Sequence, residues 1–179
     1  YCKTYYLCMC GLLPARANAA SYMKIMFWFI GKTADSYLDE GLQRFEKRLK
    51  HYLPVEVEVL ADVKGGGKLP PEQLKLREAE AVLARLKPED ALILLDERGN
   101  SYRSAEFARW LDQQLQQPYR RLILLVGGAY GFAPALYERS QSMLSLSKMT
   151  FSHQMVRLFL LEQVNRATTI LRNEPYHNE

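Results

Sequence analysis

From Met23 onward the apolar residues follow two rhythms: short unbroken runs, and longer stretches in which they recur every three or four positions. The short runs predict strands at 24–30, 55–60, 91–95, 122–126 and 143–146. Two of them, 91–95 and 122–126, are apolar throughout, as expected of strands covered on both faces of a parallel sheet. The run at 55–60 alternates valine with glutamate and so predicts an edge or half-exposed strand. Helices fit between the runs. Over 33–49, Tyr37, Leu38, Leu42, Phe45 and Leu49 fall on one stripe. Pro71 suits the first turn of a helix over 71–86. Ser104 is placed to cap a helix over 105–117, with Glu106 and Asp112 following. The last helix, over 153–172, is the longest, and its stripe of Met155, Phe159, Val164 and Leu171 reads as core or subunit interface. This β-α-β-α alternation predicts a three-layer α/β domain built on a parallel sheet. No repeat or linker divides residues 23–179.

Composition adds limits. The chain has 179 residues, 48% hydrophobic and 25% charged, which is ordinary for a single globular domain. No stretch approaches the roughly 18 consecutive apolar residues that span a bilayer. The formal charge is +4, but residues 1–22 carry Lys3 and Arg16 and no acid, which leaves +2 for the rest. That balance permits a nucleic-acid partner only if the cations cluster. All three cysteines, Cys2, Cys8 and Cys10, also lie before Met23, so a disulfide framework and a cysteine metal site are excluded from the main body. Residues 1–22 themselves have two readings. One is a secretory signal, with Lys3, an apolar stretch to Leu13 and small residues at Ala17-Asn18-Ala19. The other, preferred because Arg16 sits just before that cleavage site, is an upstream extension outside the folded unit.

Three segments follow predicted strand ends in the second half: Leu95-Asp96-Glu97-Arg98-Gly99, Val126-Gly127-Gly128-Ala129-Tyr130-Gly131, and Ser145-Leu146-Ser147-Lys148-Met149-Thr150. Ligands of α/β sheets bind beyond the carboxyl ends of strands, so three such loops suggest one pocket. Glycine lets the backbone approach a ligand closely. The hydroxyls of Ser147, Thr150 and Ser152 either touch that ligand or only turn the chain and cap the last helix. Gly-Gly-x-x-Gly is not the dinucleotide fingerprint, which argues against a nicotinamide enzyme. Lys64-Gly65-Gly66-Gly67-Lys68 reads as a surface loop able to meet phosphate, although it lacks a P-loop ending. Of three histidines, His51 lies in an early amphipathic segment and is given no role. His153 and Arg157, four residues apart just after the third loop, share a helix face and are read as site residues, with a cap or subunit contact as the alternative. Glu162 and Arg166 have the spacing of an intrahelical ion pair. After Pro175, Tyr176 and His177 form either a frayed end or an aromatic and imidazole pair that closes over a base.

In order, Leu-Asp-Glu-Arg-Gly, Gly-Gly-Ala-Tyr-Gly, Leu-Ser-Leu-Ser-Lys-Met-Thr, His153, Arg157, Glu162-Gln163, Arg166-Ala167 and Pro175-Tyr176-His177 resemble the bacterial large-subunit ribosomal RNA methyltransferase H family, of the SPOUT class. The resemblance covers essentially all of residues 23–179. It implies a parallel-sheet domain with a C-terminal trefoil knot, a homodimer, and a cytoplasmic enzyme without a metal. The implied reaction is S-adenosylmethionine-dependent methylation at N3 of a pseudouridine in 23S rRNA of the assembled ribosome. Carried over residue by residue, the cofactor contacts are Leu95, Gly128, Ser147, Lys148, Met149, Thr150, Phe151 and Ser152. The imide nitrogen must lose a proton, for which His153, His177 and Tyr176 are the candidates, and Arg157 is counted with them as a catalytic-site residue. Two residues depart from the family pattern: Asn165, where tyrosine is usual, and Asn178, where a basic residue or histidine commonly follows Tyr-His. The competing expectation is a ribosome-binding module of the same fold without catalysis; retention of all three loops speaks against it.

Overall fold

The computed structural model describes residues 23–63 and 65–174. The extension reading of 1–22, the Lys64 end of the triple-glycine loop, and Tyr176 and His177 of the tail lie outside the described residues. Five strands, β1 (Lys24–Ile30), β2 (Val55–Leu60), β3 (Asp90–Asn100), β4 (Arg121–Val126) and β5 (Ser142–Leu144), form one sheet in the order β2-β1-β4-β3-β5. Every pairing is parallel. The valine-glutamate strand takes an edge, as its alternation predicts, and the wholly apolar strands take the middle.

The helices are α1 (Ser36–Leu49), α2 (Pro71–Leu83), α3 (Ser104–Leu115), α4 (Pro134–Arg139) and α5 (His153–Leu171). On one face of the sheet, Ile25, Phe27, Phe29, Leu122 and Leu124 pack with Leu42 and Leu49 of α1, Phe107 and Leu111 of α3, and Leu160, Leu161 and Val164 of α5. On the other, Met26, Trp28, Leu92, Leu94, Ile123 and Leu125 meet Ala79 and Val82 of α2 and Leu136 of α4. These are the three layers that the alternating pattern requires, since each strand residue points to the opposite face from its neighbour. The amino-terminal ends of β3 and β4 are tied together away from the site. There the fully buried Asp90 accepts from Arg121 Nε at 2.7 Å and Nη2 at 2.5 Å.

Four local expectations need correction. Tyr37 does not join the core stripe of α1 and stands 64% exposed, because the stripe turns inward only from Leu38. Ser104 is the first residue of α3 rather than its cap. Arg103 holds the cap position, and its N–H donates to Glu106 Oε2 at 2.9 Å. β3 runs on through the expected loop at 96–99, with a register shift against β5 between Leu95 and Asn100. β5 in turn stops at Leu144, where Ser145 N–H donates to Asn100 O at 3.0 Å and bends the chain inward. Gly99 makes this crossing possible. A β-carbon there would lie 2.6 Å from Leu144 N and from the Met143 carbonyl carbon, both backbone atoms that no rotamer change can move.

Candidate cofactor site

The carboxyl ends of β3, β4 and β5 open into one cavity of about 860 Å³. Its wall is made of residues 95–98 from β3, 126–132 after β4, and 144–147 with 149–153 between β5 and α5. The three segments singled out in the sequence therefore converge. Leu95, Val126, Phe132, Leu144, Leu146 and Val156 give it apolar surface, and Glu72 and Lys75 of α2 enclose another side. A parallel sheet buried on both faces has its free backbone groups at strand ends, which is why the ligand site falls there.

Most sequence-predicted residues reach this wall: Leu95, Gly128, Ser147, Met149, Thr150, Phe151, Ser152 and His153. Lys148 is exposed and is not part of it. Two hydroxyls are engaged locally. Ser147 Oγ accepts from Met149 N–H at 2.9 Å, and Ser152 Oγ caps α5 by accepting from Met155 N–H at 3.3 Å. Phe151 is anchored against Phe159, with ring centroids 5.0 Å apart, so the third loop is fastened to α5 on both sides of its turn.

His153 opens α5 inside the cavity wall. Burial and the positive charge of Arg157 both lower its pKa, with Asp62 opposing, so the imidazole is neutral at neutral pH and can accept a proton. Arg157 itself lies behind the wall and is fully buried. Its Nη1 donates to Gly31 O at 2.9 Å and Thr33 Oγ1 at 3.0 Å, and its Nη2 to Ile30 O at 2.7 Å. The guanidinium also lies 5.3 Å from the Phe29 ring centroid. Gln154 Oε1, which accepts from Ala34 N–H at 2.8 Å, adds a second stitch between α5 and the segment after β1. Glu162 and Arg166 form the expected intrahelical pair at 2.6 Å.

Sequence reasoning missed the polar corner under the first loop. Asp96 accepts from Arg98 Nε at 3.0 Å, from Arg98 N–H at 2.9 Å and from Tyr137 Oη at 2.6 Å. Arg98 also stacks 4.7 Å over the Tyr137 ring. Burial alone would raise the Asp96 carboxyl, but the hydrogen bonds from Arg98 and Tyr137 outweigh it and bring the pKa to about 2. Only the Leu-Asp-Glu-Arg-Gly motif hinted at this corner; Tyr137 sits on the unpredicted short helix α4. Since the folded pKa of Asp96 is about 2 against an ordinary 3.8, its stabilisation is complete above that ordinary value and disappears as pH falls through about 2. Asp96→Asn should therefore be less stable than the parent near neutral pH, and urea titrations should show the gap closing across that acidic window. A gap constant with pH would contradict the assignment.

A parallel α/β sheet with a ligand-sized cavity at its carboxyl edge is the arrangement of the α/β proteins that bind small molecules beyond their strand ends. Within that class the chain belongs to the SPOUT methyltransferases: residues 23–177 match the family described as predicted SPOUT methyltransferase. Among curated relatives, the ribosomal RNA large subunit methyltransferase H of Porphyromonas gingivalis is 48% identical over 157 residues, which is 88% of this chain and all of the relative. The proteins of that name from Parabacteroides distasonis and Cytophaga hutchinsonii are 46% and 48% identical, over 88% and 87% of this chain and all of each relative.

Proposed function

We propose that the protein transfers a methyl group from S-adenosylmethionine to N3 of a pseudouridine in 23S rRNA on the assembled ribosome. The observation that carries this reading is the convergence of three glycine- and serine-bearing segments on one cavity at the sheet's carboxyl edge. Its volume of about 860 Å³ suits a cofactor of this size. The apolar residues and backbone groups of the 95, 126–132 and 144–152 segments fit an adenine ring and a ribose, with Gly128 part of the same wall. When bound, the cofactor supplies an electrophilic methyl group on a cationic sulfur. The chain's own task is alignment, because an in-line displacement depends on bringing nucleophile and methyl carbon into near-attack geometry. His153, neutral and set in the cavity wall, can accept the imide proton of the base. Tyr176 and His177 are proposed to close over the base from the tail, and His177→Ala to impair transfer more than cofactor affinity.

The finer architecture belongs to the same reading. A C-terminal trefoil knot is proposed from the match to the SPOUT family. A homodimer is supported by the exposed Tyr37 on α1 and the partly exposed Met155 on α5. No described helix is long and apolar enough to cross a membrane. A cytoplasmic location is proposed from the ribosomal substrate alone. The test is incubation with isotopically labelled cofactor and ribosomes that lack the modification, followed by nucleoside mass spectrometry. The expected product is labelled 3-methylpseudouridine in 23S rRNA. Absence of label, or label in another nucleoside, would overturn the reading.

A further inference from the structure

Glu72, Lys75 and Glu78 follow one another at intervals of three along α2, each a helical neighbour of the next. The first two line the cavity and neutralise each other, with Lys75 Nζ 2.8 Å from Glu72 Oε1. Glu78 is different. Its carboxylate oxygens lie 3.1 and 3.3 Å from the point that a β-carbon on Gly128 would occupy, so it presses against the glycine that floors the cavity. It is partly buried, and no hydrogen-bond donor among the described residues reaches it. Burial, and then the negative charge of Asp62, raise its carboxyl above the ordinary range. A partly buried carboxylate without a cation takes up a proton more readily, and it also gains from any cation that binds beside it.

We propose that Glu78 is a cofactor-binding residue that receives the α-ammonium group at the amino-acid end of the methyl donor across Gly128. This rests on reading the cavity as the S-adenosylmethionine site. The donor carries two positive charges, the ammonium and the sulfonium, and chemistry separates them. An ammonium offers three N–H donors to a carboxylate, whereas a sulfonium offers none. A carboxylate set against the sulfonium would also favour the charged ground state over a transition state in which that charge is being lost, which slows transfer. The ammonium does not change charge in the reaction, so binding it tightly fixes the donor without that penalty. Glu78 stands just outside the cavity wall, behind Gly128, and the glycine has a specific reason: a β-carbon there would crowd the Glu78 carboxylate at 3.1 Å.

The experiment compares the full-length parent chain with Glu78→Gln by titration calorimetry, circular dichroism confirming that both are folded. Three probes are used. S-adenosylmethionine has both cations, S-adenosylhomocysteine keeps only the ammonium, and methylthioadenosine lacks the amino-acid end. The expected result is a loss of about 10- to 100-fold for the first two, as for a charged hydrogen bond, with the third unchanged. Unchanged affinity for all three, an equal loss for all three, or a loss for S-adenosylmethionine alone would each overturn the proposal. Failure of the underlying site reading is a separate result, in which the parent chain binds none of the probes.

Discussion

Arg157→Met is expected to cost about 3 kcal/mol of folding stability, read as a lowered urea midpoint. The substitution keeps an apolar stem over Phe29 but removes the donors that satisfy Ile30 O, Gly31 O and Thr33 Oγ1. Buried carbonyls stripped of their partners lose their solvation without replacement, and this cost exceeds anything the apolar stem retains. Arg157→Lys should recover only part of the loss, because an ammonium cannot reproduce the forked geometry of the guanidinium. The effect on transfer should follow the folded fraction and the placement of the 31–34 segment beside His153. A variant of parental stability with abolished methyl transfer would contradict this anchoring role and favour a direct part in the chemistry.

The second large effect is at Gly99. Alanine there would place a methyl group 2.6 Å from backbone atoms of Met143 and Leu144, so the strand crossing itself must open. Overpacking of this kind typically costs about 1–3 kcal/mol, and the upper end applies where backbone rather than a flexible side chain must yield. Because β5 leads directly into the third wall of the cavity, cofactor affinity should fall together with stability. Equilibrium unfolding and cofactor titration on the same preparation check this. Parental stability would show that the crossing is looser than the geometry requires.

Much of the architecture was legible because it depends on burial alone. The unbroken apolar runs of β3 and β4 could only lie in the sheet's interior, and the valine-glutamate alternation of β2 could only suit an edge. Elements fixed by tertiary contact were not legible. The six-residue helix α4 is too short to carry a periodic signal, and it forms between Pro134 and the sheet face that buries Leu136. The extension of β3 beyond Leu95 depends on β5 returning beside it, a pairing that no local pattern announces.

The site divides in the same way. Glycines and serines after strand ends pointed to the cavity because ligands of parallel α/β sheets bind beyond those ends, although Ser147 and Ser152 also turn the chain and cap α5. Asp96, Tyr137 and Glu78 are ordinary residues in sequence, and only the folded chain shows what each one meets. Arg157 shows the converse. Helical spacing correctly set it one turn from His153, but spacing does not say whether a side chain faces the cavity or the carbonyls behind it.

Amide hydrogen exchange, measured with and without saturating S-adenosylhomocysteine, probes the central idea most directly. Backbone sites in 95–98, 126–132 and 145–153 should slow together, over one concentration range, as a single ligand bridges them. Protection confined to one of these stretches, or appearing on a different face of the sheet, would mean that the three do not grip a common molecule.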